Sequence, residues 1–413
     1  MDKIVFVDYS QPAYSVAHDE PGERAPANEG PAAAVRPEVE QRQDMSVKLR
    51  EERGARLRAA MGRAGLDLLV VTGNAWRSDY LRYALDVTPM EGQAVAFVTA
   101  DDAWLMVETP AEAERIAAEQ PGLKVEWSAD LLPRARRALD AARPERTGLA
   151  PAHSTPALLA RSAAGAGMRA ATAMLDGLMV RKTAAEADRV EQAVRLADEG
   201  YEVFRAAARV GKKEFELVGE LEAWLRTQGC PENFMIMGAG GKEVRTMHPP
   251  GERRLAAGDL VTTELTPCLD GYYAQICRTL VLGQPTREQL DSYQVFVDAL
   301  EAGIAAVKPG NTHGDVARAQ NDVFRRHGLG EYVTSKYTRV RGHGMGLYVD
   351  GPHVLEDVEL VLEPDMTLVV HPNTYHPVAG YIVLGDTVRV TADGCKVLTR
   401  TPRELRSAPA GLA

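Results

Sequence analysis

The fold is decided by residues 258–280, which read Gly258-Asp-Leu-Val-Thr-Thr-Glu-Leu-Thr-Pro-Cys-Leu-Asp-Gly-Tyr-Tyr-Ala-Gln-Ile-Cys-Arg-Thr-Leu280. Within this stretch Asp270-Gly271 predicts a β-hairpin, because a type I′ turn needs positive φ at both central positions. A turn there predicts three cross-strand pairs, which are Cys268 with Tyr273, Thr266 with Gln275, and Glu264 with Cys277. Because side chains alternate between the faces of a strand, we expect Glu264, Thr266, Tyr273, Gln275 and Cys277 to share one face. That face holds a single carboxylate.

The rest of the chain separates into three segments. Residues 1–45 have a short apolar opening followed by a stretch rich in Pro, Ala and Glu, which predicts a mobile N-terminal arm. Residues 46–180 alternate helical and strand patterns and predict a small α/β domain. Residues 181–413 predict a second domain with helices at 183–209, 214–227, 286–306 and 313–327, a loop at 238–241, and short strands at 367–371, 381–384, 387–390 and 396–398.

Composition and charge restrict the class of protein. The 413 residues are 45% hydrophobic and 26% charged, as in an ordinary soluble globular protein of two or three domains. A net charge of -10 without a basic stripe argues against nucleic-acid binding. The four cysteines lack any Cys-x-x-Cys spacing, which suits a reducing compartment. No apolar run approaches the roughly 20 residues that span a bilayer, and the first residues do not form a signal peptide, so we expect a cytoplasmic protein without membrane contact.

Six segments, taken in order, resemble the creatinase/prolidase/methionine-aminopeptidase family, whose catalytic domain has the pita-bread fold. They are Met179-Val-Arg-Lys-Thr, Met247-His-Pro-Pro-Gly with Gly258-Asp-Leu-Val, Gly271-Tyr-Tyr-Ala-Gln-Ile-Cys-Arg-Thr, Gly342-His-Gly-Met-Gly, Val361-Leu-Glu-Pro-Asp-Met, and Asp386-Thr-Val-x-Val-Thr-x-Asp-Gly-Cys. The resemblance covers roughly residues 180–402, and the preceding domain resembles the family's amino-terminal domain. It implies an α+β fold in which a pita-bread catalytic domain follows a smaller α/β domain.

The resemblance also implies where metal ions would bind, because the family's peptidases hold two of them with five side chains. The matching positions of this chain are Glu264, Gln275, His343, His371 and Gly385. The histidine is retained as His343, whereas the two residues that bridge the metals are replaced by Gln275 and Gly385. Because a neutral amide and a glycine supply no charge between two dications, we expect no dinuclear metal site and no cofactor.

The pattern is similar instead to creatinase, the metal-free hydrolase of this family, which uses a histidine as proton carrier. The corresponding residue here is His248, which prolines confine to a stiff loop. An imidazole with an ordinary pKa near 6.5 can take a proton from water and return it to a leaving nitrogen. Creatinase clamps a guanidinium with two carboxylates whose positions are Cys277 and His371 here, so we do not expect creatine as the substrate. The predicted catalytic residues are His248, Glu264, His343 and His371.

Further residues are expected to contact the substrate. Near the predicted site these are Tyr273, Gln275, Cys277 and His353. Segment 74–83 resembles the region that in creatinase reaches the partner subunit's site, which implies a homodimer in which Arg77 and Arg82 bind a substrate carboxylate. Each of these residues also has a purely structural interpretation, such as an inert buried thiol for Cys277 or a solvated side chain for either arginine.

Three functions are open to this set of residues. The leading hypothesis is a metal-independent hydrolase that cleaves a C–N bond of a small amino-acid-like molecule. In this hypothesis His248 transfers the proton and Glu264 positions His248. The second is a mononuclear metalloenzyme, either hydrolase or lyase, that binds its metal through Glu264, His343 and His371. The third is a ligand-binding homologue without catalysis, because a fold does not guarantee its chemistry.

Overall fold

The computed structural model describes residues 32–348 and 351–409, with side chains from residue 46 onward. Residues 1–31 of the predicted arm lie outside this range. The remaining part of the predicted arm, from Ala32, belongs to a helix that continues to Ala64, and the mobility of the arm stays a prediction. The chain divides between Asp44 and Met45 into two units, and apart from the start of this helix the description below concerns the second of them.

The first domain alternates helices and strands as predicted. Its elements are α1 (Ala32–Ala64), β1 (Leu68–Asn74), α2 (Asp79–Leu85), β2 (Gln93–Val98), β3 (Ala103–Val107), α3 (Pro110–Glu119), β4 (Lys124–Trp127), α4 (Leu131–Asp140), β5 (Thr147–Ala150), α5 (Ala157–Ala166), β6 (Arg169–Ala170) and α6 (Thr172–Val180). The strands form one mixed sheet in the order β4-β3-β2-β1-β5-β6. Successive residues of β1, Val70 and Val71, pack into different hydrophobic clusters, so both faces of this sheet are covered.

The second domain begins with two helices, continues through a hairpin, and ends in short strands. Its elements are α7 (Ala184–Ala207), α8 (Glu214–Thr227), β7 (Glu232–Gly240), β8 (Leu260–Leu269), β9 (Tyr272–Tyr273), β10 (Ile276–Leu282), α9 (Arg287–Ala306), α10 (His313–Arg326), β11 (Gly342–Gly344), β12 (Thr367–Val370), β13 (Thr374–His376), β14 (Gly380–Ile382), β15 (Asp386–Val390), β16 (Cys395–Val397) and β17 (Arg406–Ala408). The four predicted helices agree with α7 to α10 to within about two residues at each end.

Local capping signals explain where three of these helices begin. Thr183, Thr286 and Thr312 each accept a hydrogen bond from the backbone N–H three residues later, and the residue at that position bonds back to the cap. This reciprocal arrangement satisfies two backbone donors that the first turn leaves unpaired. No helix in the described part of the chain is both long and apolar enough to cross a membrane.

Two larger sheets with their covering helices, and a two-stranded sheet formed by β13 and β14, build the second domain. One sheet has the order β17-β10-β8-β7, with β9 paired to β8, and the other has the order β11-β12-β15-β16. Leu265 of β8 packs in a cluster with side chains of α7 and α8, and Leu368 of β12 packs in a cluster with side chains of α9 and α10. The helices therefore cover one face of each sheet, and the other faces turn toward each other.

The predicted hairpin is confirmed in its turn and register. Asp270 and Gly271 have φ angles of 49° and 82°, as a type I′ turn requires. Cys268 pairs with Tyr273 and Glu264 pairs with Cys277. At the intervening pair the ladder is interrupted, yet the Thr266 hydroxyl still donates to Oε1 of Gln275 over 3.2 Å.

The loop predicted at residues 238–241 is wrong for most of its length. Residues 238–240 continue β7 and pair with residues 260–262 of β8. Three glycines in four residues favoured a loop, but backbone pairing to a long neighbouring strand overrides that local preference. A Cβ at Gly238 would lie 3.2 Å from both the Thr262 hydroxyl oxygen and a Val244 methyl, so close packing accounts for the glycine there.

Candidate functional site

The two sheets of the second domain are joined at residues 277 and 385. Cys277 and Gly385 form a backbone bridge, with N···O distances of 3.2 and 2.9 Å. Beside it, buried Arg278 donates to the Asp386 carboxylate over 2.7 Å and to the Gly385 carbonyl over 2.7 Å. A paired and fully hydrogen-bonded guanidinium is the form in which a buried arginine is stable. The word cleft is used below for the region between these sheets in which Glu264, Gln275, Cys277, His343 and His371 lie.

Glu264 is tied to a residue that sequence reasoning missed, Asn373. The Nδ2 group of Asn373 donates to Oε1 of Glu264 over 2.7 Å. The other end of the same amide, Oδ1, accepts from the backbone N–H of Leu384 over 3.0 Å. The carboxylate therefore has a fixed amide partner in the connection between β12 and β13, two residues after His371. A possible signal in the sequence is the tripeptide His371-Pro372-Asn373, where a polar side chain follows directly on a predicted pocket residue.

Gln275 and Cys277 contact each other rather than an open space. The Nε2 group of Gln275 donates to Sγ of Cys277 over 3.2 Å, while its backbone exchanges hydrogen bonds with the Thr387 hydroxyl. Burial, and then the nearby Glu264 carboxylate, raise the pKa of the Cys277 thiol well above its ordinary range. A protonated, fully buried thiol is a poor nucleophile, which favours the structural interpretation of Cys277.

His343 and His371 lie next to each other. Their ring centroids are 5.4 Å apart with an edge-on angle of 65°, and the residues are only 6% and 4% exposed. Nδ1 of His371 is buried and has no hydrogen-bond partner, although buried polar atoms usually have one. Burial, and then the neighbouring His343 and Arg341, hold the pKa of His371 well below its ordinary 6.5. His371 is therefore a neutral imidazole at physiological pH.

The structure does not bring His248 to this group. His248 forms a two-hydrogen-bond bridge with Met237 of β7, and residues directly opposite each other point to the same side of a sheet. Met237 packs in the cluster of α7 and α8, so the His248 side chain also lies on the helix side. There Nδ1 lies 3.8 Å from the Glu214 carboxylate and the side chain is 47% exposed. Met247 instead packs against the cleft cluster that contains Cys277 and Tyr381.

The remaining predicted residues lie at the edges of the cleft. The hydroxyl of Tyr273 donates to the Glu232 carboxylate, and the backbone of His353 forms a bridge with His343. Arg82 is buried and held within its own chain, where it donates to Glu232 over 3.3 Å and to the Thr88 hydroxyl over 2.8 Å. This arrangement does not support the expected binding of a substrate carboxylate by Arg82.

A cavity of about 680 Å³ is lined by residues of both the first and the second domain. It is bordered by Trp76, Arg77, Tyr80 and Arg82 of the first domain and by Tyr273 and Pro352 of the second. The cavity is not lined by Glu264, His343 or His371. It approaches the cleft only at its edge, at Tyr273 and at Pro352, which precedes His353. Of the two arginines, only Arg77 keeps an exposed side chain here.

The five family positions hold one carboxylate, one amide, two imidazoles and a glycine, at Glu264, Gln275, His343, His371 and Gly385. Among the residues that the structure describes, no three His, Cys, Asp or Glu side chains come together as a metal-binding group. The set of Glu264, His343 and His371 predicted for a single ion is therefore not assembled. A Cβ at Gly385 would lie 2.6 Å from Cβ of His371 and 2.9 Å from the Val370 carbonyl oxygen, so an acidic side chain does not fit there without backbone movement.

Two further residues complete the surroundings of the cleft and were absent from the sequence-based set. The hydroxyl of Tyr381 lies 2.5 Å from the Thr338 hydroxyl, and its ring packs with Cys277. Arg341 is fully buried and lies behind His371, whose backbone N–H donates to the Arg341 carbonyl over 3.1 Å. An arginine two residues before a predicted pocket histidine carries no sequence signal of burial, because arginines are usually exposed.

The sequence matches two family models. One describes the creatinase/prolidase N-terminal domain and covers residues 53–180, and the other describes metallopeptidase family M24 and covers residues 188–392. Among curated proteins, the chain is 28% identical over 235 residues to the Xaa-Pro dipeptidase of Pyrococcus furiosus. It is 30% identical over 237 residues to the uncharacterized peptidase YqhT of Bacillus subtilis. Each match covers 56% of this chain, and they span 66% and 65% of the relatives, just under two thirds of their length.

Solved structures give the same result for the fold. The prolidase of Pyrococcus horikoshii OT3 has a TM-score of 0.75 at 24% identity, covering 86% of this chain and 99% of that chain. The dipeptidase PepE of Mycobacterium ulcerans has a TM-score of 0.71 at 27% identity, covering 88% and 98% of the two chains. These likenesses confirm the predicted α+β architecture, in which an α/β domain precedes a pita-bread domain. This protein belongs to the creatinase/prolidase/methionine-aminopeptidase (pita-bread) family.

Proposed function

We propose that this protein hydrolyses a C–N bond of a small amino-acid-like or dipeptide-like molecule without a dinuclear metal centre. The kind of bond is supported by the relatives, which include Xaa-Pro dipeptidases and other peptidases. The observation that supports a metal-independent mechanism is the direct bonding of cleft side chains to each other. Glu264 is bonded to Asn373, Gln275 is bonded to Cys277, and His371 lies against Gly385.

His371 is the proposed proton carrier, in place of His248. Its low pKa keeps the ring neutral, and its unpartnered Nδ1 is available to accept a proton. In the proposed reaction Nδ1 takes a proton from water while the water oxygen bonds to the carbonyl carbon. The C–N bond then breaks, and the leaving nitrogen takes that proton from His371. A protonated imidazole in a buried site gives up its proton readily, which suits the second step.

His343 and Glu264 are the proposed partners of His371. The His343 ring lies edge-on to His371, where it can donate a hydrogen bond to the oxygen on which negative charge develops. Glu264 is the one carboxylate among the five family positions and is proposed to bind a positively charged amino group of the substrate. This division of roles replaces the earlier expectation that Glu264 orients His248.

The neighbouring cavity supports a small-molecule substrate. Its volume of about 680 Å³ falls within the range of roughly 300–1,000 Å³ that is usual for small-molecule sites. Aromatic side chains such as Trp76, Tyr80 and Tyr273 border it, together with the exposed guanidinium of Arg77. A substrate that extends from the cleft into this cavity would place a carboxylate near Arg77.

The proposal is tested by turnover with and without a chelator. The purified protein is assayed against Xaa-Pro dipeptides, other dipeptides, and N-acyl and N-carbamoyl amino acids, before and after dialysis against EDTA. We expect hydrolysis of at least one compound, unchanged by EDTA, from protein that contains less than one equivalent of metal. Hydrolysis that disappears with EDTA and returns with added divalent metal would contradict the metal-independent mechanism while leaving the hydrolase assignment in place.

A ligand-binding homologue without catalysis is the second candidate, and one observation favours it. His371 is only 4% exposed, so water and substrate reach it only if the cleft opens. Under this hypothesis the same panel of compounds shows binding by calorimetry but no product after long incubation. Product formation that depends on His371 would exclude it.

A further inference from the structure

The Glu264 carboxylate is held by a buried side-chain amide, that of Asn373. Asn373 is 1% exposed, and its two side-chain atoms face different partners. Oδ1 accepts from the Leu384 N–H over 3.0 Å, and a backbone N–H cannot bond to the NH₂ group. This contact fixes the orientation of the amide, so the NH₂ group must face Oε1 of Glu264, 2.7 Å away. Donation to a carboxylate is a charge-assisted hydrogen bond, and it favours the ionised form of the acceptor.

A buried cation lies directly behind Asn373. Arg341 is fully buried, and its Nη1 group donates to the Asn373 carbonyl over 3.0 Å. Its Nε group donates to Oδ1 of Asn321 over 2.5 Å, and Nη2 has no partner. Among the described residues no carboxylate forms an ion pair with Arg341, in contrast to buried Arg278, which is paired with Asp386. Burial lowers the pKa of Arg341 to about 10, which still leaves the guanidinium charged at neutral pH.

Burying a guanidinium without a carboxylate partner costs several kcal/mol of desolvation free energy unless other contacts stabilise the charge. The segment from His371 to Asn373 receives two of its contacts, because the Arg341 carbonyl also accepts from the His371 N–H over 3.1 Å. Arg341 therefore fixes the backbone at both ends of the tripeptide that carries a cleft histidine and the partner of Glu264. This is the placement expected of a residue that orients the site through others.

We propose that Asn373, held from behind by Arg341, is the positioning residue for Glu264, and that this amide does the orienting that a metal ion would otherwise do. The proposal rests on the proposed function only in assigning Glu264 to the substrate. Asn373 itself touches no reacting atom. Its effect is to hold the carboxylate in one orientation, opposite Cys277, through a donated hydrogen bond.

A first experiment uses the wild-type fold and needs no substrate. The side-chain ¹⁵NH₂ resonance of Asn373 is followed by NMR as the pH is lowered, in the wild-type protein and in the Glu264→Gln variant. We expect the resonance to shift with the titration of Glu264 in the wild type and to stay constant in Glu264→Gln. An Asn373 resonance that does not respond while Glu264 titrates would overturn the proposal.

A second experiment compares two asparagines with the same local geometry. Asn233 also donates from Nδ2 to a carboxylate, that of Glu222, over 2.7 Å, and its Oδ1 accepts a backbone N–H over 3.1 Å. The titration of ¹³C-labelled Glu264 is measured in Asn373→Ala and in the matched control Asn233→Ala. We expect Glu264 to titrate at higher pH in Asn373→Ala, because a donor to the ionised form is lost, and to be unchanged in Asn233→Ala.

The isosteric variant Asn373→Asp serves where the alanine variant fails to fold. It places a second carboxyl group beside Glu264, so we expect one of the two to titrate at markedly higher pH than Glu264 does in the wild type. Unchanged titration of Glu264 in a folded Asn373 variant would contradict the positioning role. Because none of these measurements uses turnover, their outcome is separate from a failure to find a hydrolysable substrate.

Discussion

Two neighbouring segments bring side chains to the cleft, and they differ in how firmly the local sequence fixes the direction of each side chain. In the hairpin at residues 260–282, the turn at Asp270 and Gly271 sets the register, and every cleft residue follows by alternation. In residues 241–248 no turn of this kind exists, and the direction depends on a two-residue bridge to β7. Tertiary contacts, rather than the local sequence, therefore decide that Met247 faces the cleft and that His248 faces the helices.

The largest expected effect tests this difference through turnover. We predict that His371→Asn lowers kcat for a hydrolysed substrate by about 10² to 10⁴, the usual contribution of a general acid–base group. His248→Ala is predicted to leave kcat within about twofold, because that side chain lies on the helix side, near Glu214. Both variants are compared with the wild type in steady-state kinetics after circular dichroism has shown that they fold.

The opposite pattern of activities would contradict this prediction. A loss of turnover in His248→Ala, with His371→Asn active, would mean that residues 241–248 present their histidine to the cleft in the working enzyme. It would also restore the proton carrier implied by the resemblance to creatinase.

The second test compares the backbones of the two segments through stability. Gly271 has a φ of 82°, where a β-branched residue is strained, so Gly271→Val is predicted to lower the free energy of unfolding by roughly 1–3 kcal/mol. Gly241 does not have a positive φ, and the Cβ of an alanine there would approach only the flexible Glu243 carboxylate, at 3.3 Å. Gly241→Ala is therefore predicted to be close to neutral in urea unfolding. A destabilisation by Gly241→Ala equal to that by Gly271→Val would show that the segment is as tightly specified as the hairpin.

The same contrast explains how much of the site was predictable from the sequence. The hairpin, its turn and the shared face of Glu264 and Cys277 follow from period-two alternation, which needs only local information. The direction of His248 does not, because a proline-flanked residue has no periodic pattern to set its side. Asn373 was missed for a related reason, since its contact to Glu264 joins residues 109 positions apart. Hydrogen bonds between such distant side chains leave no spacing signal in a single sequence.

The third test uses pH and concerns the buried histidines, of which His371 lies in the cleft. The pKa of His371 is lowered by burial, and so are those of His313 and His376. Below about pH 6.5 the unfolded chain binds protons at these residues that the folded protein does not bind, so acidification favours unfolding. Above that pH neither state binds them, and this contribution to stability is fully present.

We therefore predict that the free energy of unfolding by urea falls between about pH 7 and about pH 5, by up to about 1.4 kcal/mol per buried histidine for each pH unit below about 6.5. His371→Asn is predicted to reduce this slope, because it removes one of the buried histidines. A slope that His371→Asn leaves unchanged would contradict the burial of His371.

The smallest effect concerns the thiols. It tests whether the hairpin at residues 260–282 is the more rigid of the two segments. Cys268 and Cys277 lie on its cleft face with no exposed area, whereas Cys395 is half-buried on β16. Burial raises the pKa of Cys268 to about 12, so neither a thiolate nor access is available to a reagent there. We predict that Ellman's reagent modifies Cys395 first in the native protein, and that Cys268 and Cys277 react only as fast as the domain opens. Rapid modification of Cys277, identified by mass spectrometry, would show that the hairpin opens locally without global unfolding and would return Cys277 to the group of residues that can meet a substrate.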